Sequence, residues 1–158
     1  MFRELTRQKQ RLTDEECEAL LETERRGVLS VQGDDGYPYG MPMNFWYDRE
    51  TGRIYFHGGK TGHKIDALKR CDKVSFCVYD GGFRREGEWA LNVKSVIVFG
   101  RVRFMENDAF AMEVSRKLSL KYTTDTVYIE REIRNSGPAT LCLELIPEKI
   151  TGKLVNES

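Results

Sequence analysis

Histidine is scarce in this chain. Its 158 residues include two, His57 and His63, and both fall on one glycine-rich stretch. That leaves no basis for a Ser/His/Asp hydrolytic arrangement. Cysteine is sparse too: Cys17, Cys71, Cys77 and Cys142 are widely spaced, with no Cys-x-x-Cys pair. Such spacing speaks against a zinc framework and a disulfide scaffold, and it predicts reduced thiols in a cytoplasmic protein. No apolar run approaches the roughly 18 residues of a membrane-spanning helix. The polar start, Met1 to Gln10, reads as lacking a secretory signal. Charge of one sign is missing as well. The 25 Lys+Arg balance 25 Asp+Glu, so coating nucleic acid or an anionic membrane is not the expected task. With 40% hydrophobic residues, the chain is expected to fold as one domain over residues 1–158, behind a loosely ordered lead-in of residues 1–12.

Thr13 with Glu16 forms a capping box, opening a helix whose face carries Cys17, Leu20 and Leu21. The period then changes. Val28 to Val31 is strand-like, and Gly33-Asp34-Asp35-Gly36 is a hairpin turn signal. Tyr37 to Tyr47 reads as one return strand with Met41, Met43, Phe45 and Tyr47 on one face. Pro38 and Pro42 place it at a sheet edge or bulge. Strands follow at Arg53 to His57, at Lys73 to Tyr79, and over a long segment from Glu88 to Met105. That segment is apolar on both faces, which predicts burial on both sides or a bend at Gly100 that switches the inner face. Asn107 is the expected cap of a helix bearing Phe110, Val114 and Leu118. Residues 123–137 read as irregular, with one helical turn near Tyr128 to Ile133, before a last strand from Thr140 to Ile146. Six antiparallel strands with peripheral helices predict a small β-barrel, mainly β in an α+β arrangement.

The most informative stretch is Tyr55-Phe56-His57-Gly58-Gly59-Lys60-Thr61-Gly62-His63-Lys64, a strand that passes through glycines into a helix. Free amides and the positive dipole end at a helix start favour an anion. Lys60, His63 and Lys64 crowd that same end, where the dipole disfavours cations unless a bound phosphate turns each into a charge-assisted contact. The bland alternative is a set of solvated surface side chains. A Walker loop is excluded because Ile54 stands where its first glycine belongs, and no G-x-G-x-x-G follows any strand.

The run Gly40 to Tyr47, the strand Ile54 to Gly58, the helix Gly62 to Leu68, the strand Val74-Ser75-Phe76 and the run Ser95 to Gly100 resemble the pyridoxamine 5′-phosphate oxidase-like, FMN-binding split-barrel superfamily. Within it, the resemblance is to the branch of nitroimidazole-resistance flavoproteins. It implies a six-stranded antiparallel split β-barrel with peripheral helices, acting as a homodimer with FMN at the subunit interface. Carried over, Lys60, His63 and Lys64 would hold the FMN phosphate, with His63 where many relatives have Arg. Met43 and Asn44 would offer backbone groups to the polar edge of the flavin ring. Tyr55, Phe56 and His57 would line it, and Ser95 would reach one flavin across the dimer. His57 corresponds to a histidine implicated in activity.

Each residue also has a structural reading: Met43 as core, Ser95 as an ordinary strand residue, His57 as a strand-end side chain bonded to backbone. Asn44 is harder to explain that way, as a polar residue in an apolar strand that needs partners if buried. Trp46 and Trp89 fit core or interface better than ring stacking. Full pyridoxamine phosphate oxidase chemistry needs a second basic cluster, and none is identified. The implied function is an FMN-dependent oxidoreductase, of the nitroreductase type, taking electrons from NAD(P)H for a small oxidised substrate. The alternatives are a flavin-binding or redox-sensing module without turnover, and a haem-binding or haem-degrading split barrel. Deazaflavin in place of FMN stays open, and no metal site is expected.

Overall fold

In the computed structural model, which describes residues 1–157, a single residue joins the two ends of the sheet. The seven strands are β1 (Arg26–Gln32), β2 (Pro38–Asn44), β3 (Trp46–Asp48), β4 (Arg53–Gly59), β5 (Lys73–Tyr79), β6 (Leu91–Phe104) and β7 (Thr140–Glu157). They pair in the order β2-β1-β5-β6-β7-β4-β3, every pairing antiparallel. The edge strands β2 and β3 are separated only by Phe45, so the sheet must curl until its edges meet there. Four helices pack around it: α1 (Asp14–Thr23), α2 (His63–Arg70), α3 (Ala109–Leu120) and α4 (Thr126–Ser136).

The strand count corrects the expected six. The segment from Tyr37 to Tyr47 is two strands, because Phe45 leaves the β1 pairing and the chain joins β4 at Trp46. Its apolar face behaves as read: Phe45 and Tyr47 are buried, and Met41 and Met43 pack against the same core. Pro38 and Pro42 do lie on an edge strand, where their missing N–H groups cost no ladder bond.

The long strand β6 keeps its even positions inward throughout, from Asn92 through Val96, Val98 and Val102. The irregularity next to Gly100 instead falls on its partner. Phe99 faces Lys149 while Gly100 faces Pro147, so Glu148 is the extra residue. The last strand therefore runs past Ile146 to Glu157, with Pro147 tolerated at the bulge.

Two helical readings also change. Asp108, not Asn107, caps α3, accepting the Ala111 N–H at 3.0 Å. The stretch read as irregular, with one helical turn near Tyr128 to Ile133, forms the longer helix α4, capped by Asp125 and burying Ile129. Its apolar positions were too few to signal a helix, but docking against α3 stabilises it, with Arg116 paired to Glu130 at 2.6 Å. The capping box at Thr13 and Glu16 forms as expected. The lead-in runs along β7: Leu12 is buried and donates its N–H to Gly152, and Phe2 stacks on Phe99. All four cysteines are free thiols. Among the described residues, no helix is long and apolar enough to cross a membrane.

Candidate functional site

β4 is buried on both faces, and this positions the site. Ile54 and Phe56 point into the barrel core, while Tyr55 points outward beneath α3 with Met105, Ala111, Val114 and Cys142. His57 lies on Tyr55's side one step further along, where the cover ends, and is exposed to a cavity of about 620 Å³. The walls come from α3, α4 and the start of β7, with Lys60, Met112, Ser115 and Cys142 among them. Surrounding protein and the nearby Lys64 charge lower the pKa of His57 below 6.5, so its imidazole is neutral at pH 7.

Lys64, in the first turn of α2, reaches back to this strand. Its Nζ is 3.8 Å from Met43 Sδ and lies against Gly58, within 3.0 Å of where a Cβ there would stand. Half-buried, it has no carboxylate within salt-bridge reach among the described residues, and burial lowers its pKa. Gly62 starts the helix at φ +125°, and no side chain caps the amides that follow. An amine drawn from water beside free helix-start amides is an arrangement that an anion completes.

The predicted residues divide. Met43, His57 and Lys64 come together, and Lys60 is exposed on the cavity rim. His63 turns instead to the β1–β2 hairpin, stacked on Tyr39 at 4.0 Å between centroids, with Nε2 3.8 Å from Asp34. Part of the cation crowding at this helix start is thus explained by Asp34, which also holds Arg70 at 2.9 Å. Asn44 is exposed opposite Arg26, so no buried amide needs partners. The Phe56 side chain is core, and the Tyr55 hydroxyl donates to Glu144 at 3.1 Å. Ser95 sits between Tyr79 and Lys153 on β6, outside the cavity wall. Trp46 stacks on Tyr55 at 5.4 Å, whereas Trp89 is 76% exposed.

Sequence reasoning missed several groups. Glu144 is 1% exposed yet ionised, with Arg53, Arg103 and Tyr55 directed at it. An acid within the alternating Leu141, Leu143, Leu145 run was the available signal. Cys142 lies 3.5 Å from the Ser115 hydroxyl, but burial pushes its thiol up, so it is not a thiolate at neutral pH. α4, read as a single helical turn in an irregular stretch, supplies a wall of the cavity through Glu132, Ile133, Arg134 and Ser136.

Residues 13–154 match the family model described as pyridoxamine 5′-phosphate oxidase. The chain belongs to that family. A search of curated proteins finds no match. Among solved structures, a candidate 5-nitroimidazole antibiotic resistance protein of Bacteroides thetaiotaomicron superposes with a TM-score of 0.76 at 20% identity, covering 92% of this chain and 87% of that one. A conserved hypothetical protein of Mycobacterium tuberculosis gives 0.79 at 18% identity, covering 95% and 90%. The FAD-binding protein of Mycobacterium smegmatis gives 0.67 at 21% identity, covering 94% and 99%. At such identities the likeness establishes the shared fold.

Proposed function

We propose that this member of the pyridoxamine 5′-phosphate oxidase family binds FMN as a homodimer and works as an oxidoreductase on a small oxidised substrate, with NAD(P)H as donor. One observation carries the reading. The half-buried, acid-free Lys64 stands at an uncapped helix start, beside a cavity of about 620 Å³. That volume lies within the roughly 300–1,000 Å³ range of small-molecule sites. The FAD-binding neighbour supports a flavin, and the Bacteroides neighbour's description supports a nitro compound as the acceptor.

The residues present fit such a group. The α2 amides, Lys64 and Lys60 would hold the phosphate, whereas His63 is engaged by Asp34 and Tyr39. The Met43 and Asn44 backbone would meet the polar edge of the ring, alongside the Tyr55–His57 strand. Bound flavin supplies hydride transfer at its N5. His57, neutral at pH 7, can donate a hydrogen bond to substrate through one ring nitrogen and accept one at the other. Met105, Met112 and Leu141 give the cavity an apolar lining. A dimer accounts for Tyr79 at 59%, Phe83 at 40% and Trp89 at 76% exposure, and it would bring Ser95 to a flavin.

Purified protein should be yellow and release FMN, identified by mass. Titration of the apoprotein with FMN and FAD should rank FMN first. Anaerobic NADH should bleach the flavin, and a nitroaromatic acceptor should restore its colour. A colourless protein that takes up neither nucleotide rejects the proposal.

A further inference from the structure

One residue, Phe45, joins the two edges of the sheet, and the partners of its backbone come from outside the sheet. The residue is fully buried, so its N–H and C=O need hydrogen bonds. Both are met from the end of α3. Phe45 donates its N–H to Tyr122 Oη at 3.0 Å, and Lys121 Nζ donates to the Phe45 carbonyl at 3.0 Å. The same ammonium stands 3.5 Å from the centroid of the Phe45 ring. The single phenol proton of Tyr122 is then free for the Arg25 carbonyl, immediately before β1. Two successive residues thus tie β1, the β2–β3 crossover and α3 together.

We propose that Lys121 and Tyr122 are positioning residues, a clasp that fixes the Met43–Asn44 backbone relative to the cavity wall. Met43 and Asn44 directly precede the clasped residue, and α3 carries Ala111, Met112, Ser115 and Ser119 in that wall. A shift of α3 therefore cannot occur without moving the strand end beside Lys64. The link to the flavin rests on the function proposed above, whereas the clasp rests on the geometry alone.

Amide hydrogen exchange at Phe45 in flavin-free protein, and FMN affinity well below the melting temperature, test this. Tyr122→Phe should speed Phe45 exchange by about tenfold, as expected for one lost hydrogen bond, and weaken FMN binding several-fold. Lys121→Met should weaken binding likewise, and Lys121→Arg, which keeps charge and donors, should restore it. Asp108→Ala removes the cap at the far end of α3 and should lower stability with neither readout changed. Unchanged Phe45 exchange in Tyr122→Phe overturns the clasp. Faster exchange with unaltered FMN affinity overturns its connection to the site. If the parent takes up no flavin, the proposed function falls, and the exchange measurement alone decides the clasp.

Discussion

Arg103 grips Glu144 through two nitrogens, Nε at 3.0 Å and Nη2 at 2.9 Å, both on the same carboxylate oxygen. Arg53 reaches that oxygen at 3.1 Å, and Tyr55 donates to the other. The carboxylate is buried while both guanidiniums keep one side in water, so the desolvation cost falls mainly on Glu144. Burial pushes its pKa up, and the hydrogen bonds from Arg103, Arg53 and Tyr55 more than offset this, leaving it below 4.5. Glu144→Gln should lower unfolding free energy by about 1–3 kcal/mol at neutral pH, the range for bonds to a charged group. Because the folded pKa is lowered, the contribution is complete above 4.5 and is lost as pH falls through the folded value. Urea denaturation should thus show parent and variant converging in acid, and a constant gap would contradict the ion network.

Lys64→Ala should weaken FMN by about 1–3 kcal/mol, the worth of one charge-assisted bond, and leave riboflavin affinity unchanged. Riboflavin has no phosphate. Equal losses for both ligands would move Lys64 away from the phosphate.

His57 should titrate below 6.5 in NMR, and Lys64→Met should move its midpoint upward, since burial and then Lys64 are what depress it. The charged form is disfavoured in the fold, so this group's contribution is present above 6.5 and is lost as pH falls through the folded value. His57→Ala should keep FMN bound and change turnover. An unaltered rate would make His57 a plain strand-end residue.

Lys121 has its pKa lowered to about 8 from 10.5, by burial first, with Arg25 adding to the shift and Glu24 opposing it. Between those values the unfolded chain holds a proton that the native chain has released. The parent should gain stability relative to Lys121→Met as pH rises across that window. Chemical denaturation at both ends of the window measures it, and a parent–variant gap that stays constant across the window would show the amine to be well solvated.

Gly100→Ala should cost about 1–3 kcal/mol, as overpacking does. A Cβ there would collide with the Ile146 carbonyl, where β6 and β7 change register. Calorimetry showing no fall in melting temperature would mean that the bulge relaxes freely.

Some of this molecule is written locally. The Thr13 cap, the hairpin turn, the α2 face with Ile65 and Leu68, and the alternation of β5 all depend on neighbours a few residues apart, so periodicity and turn chemistry reveal them. The same holds for the cationic, glycine-rich approach to α2 that marks Lys60 and Lys64. Other features depend on residues far apart in the chain. Phe45 breaks its strand because Tyr122, 77 positions later, satisfies its amide. His63 leaves the helix start for Asp34 and Tyr39 on a hairpin that only folding brings near. Glu144 is tolerated in the interior because guanidiniums from two other strands meet it, and α4 forms because α3 offers a surface to bury Ile129. Backbone propensity and spacing act over a turn or two. Desolvation of a charge or a peptide group is settled by whatever the whole fold places beside it, which the linear order of residues does not contain.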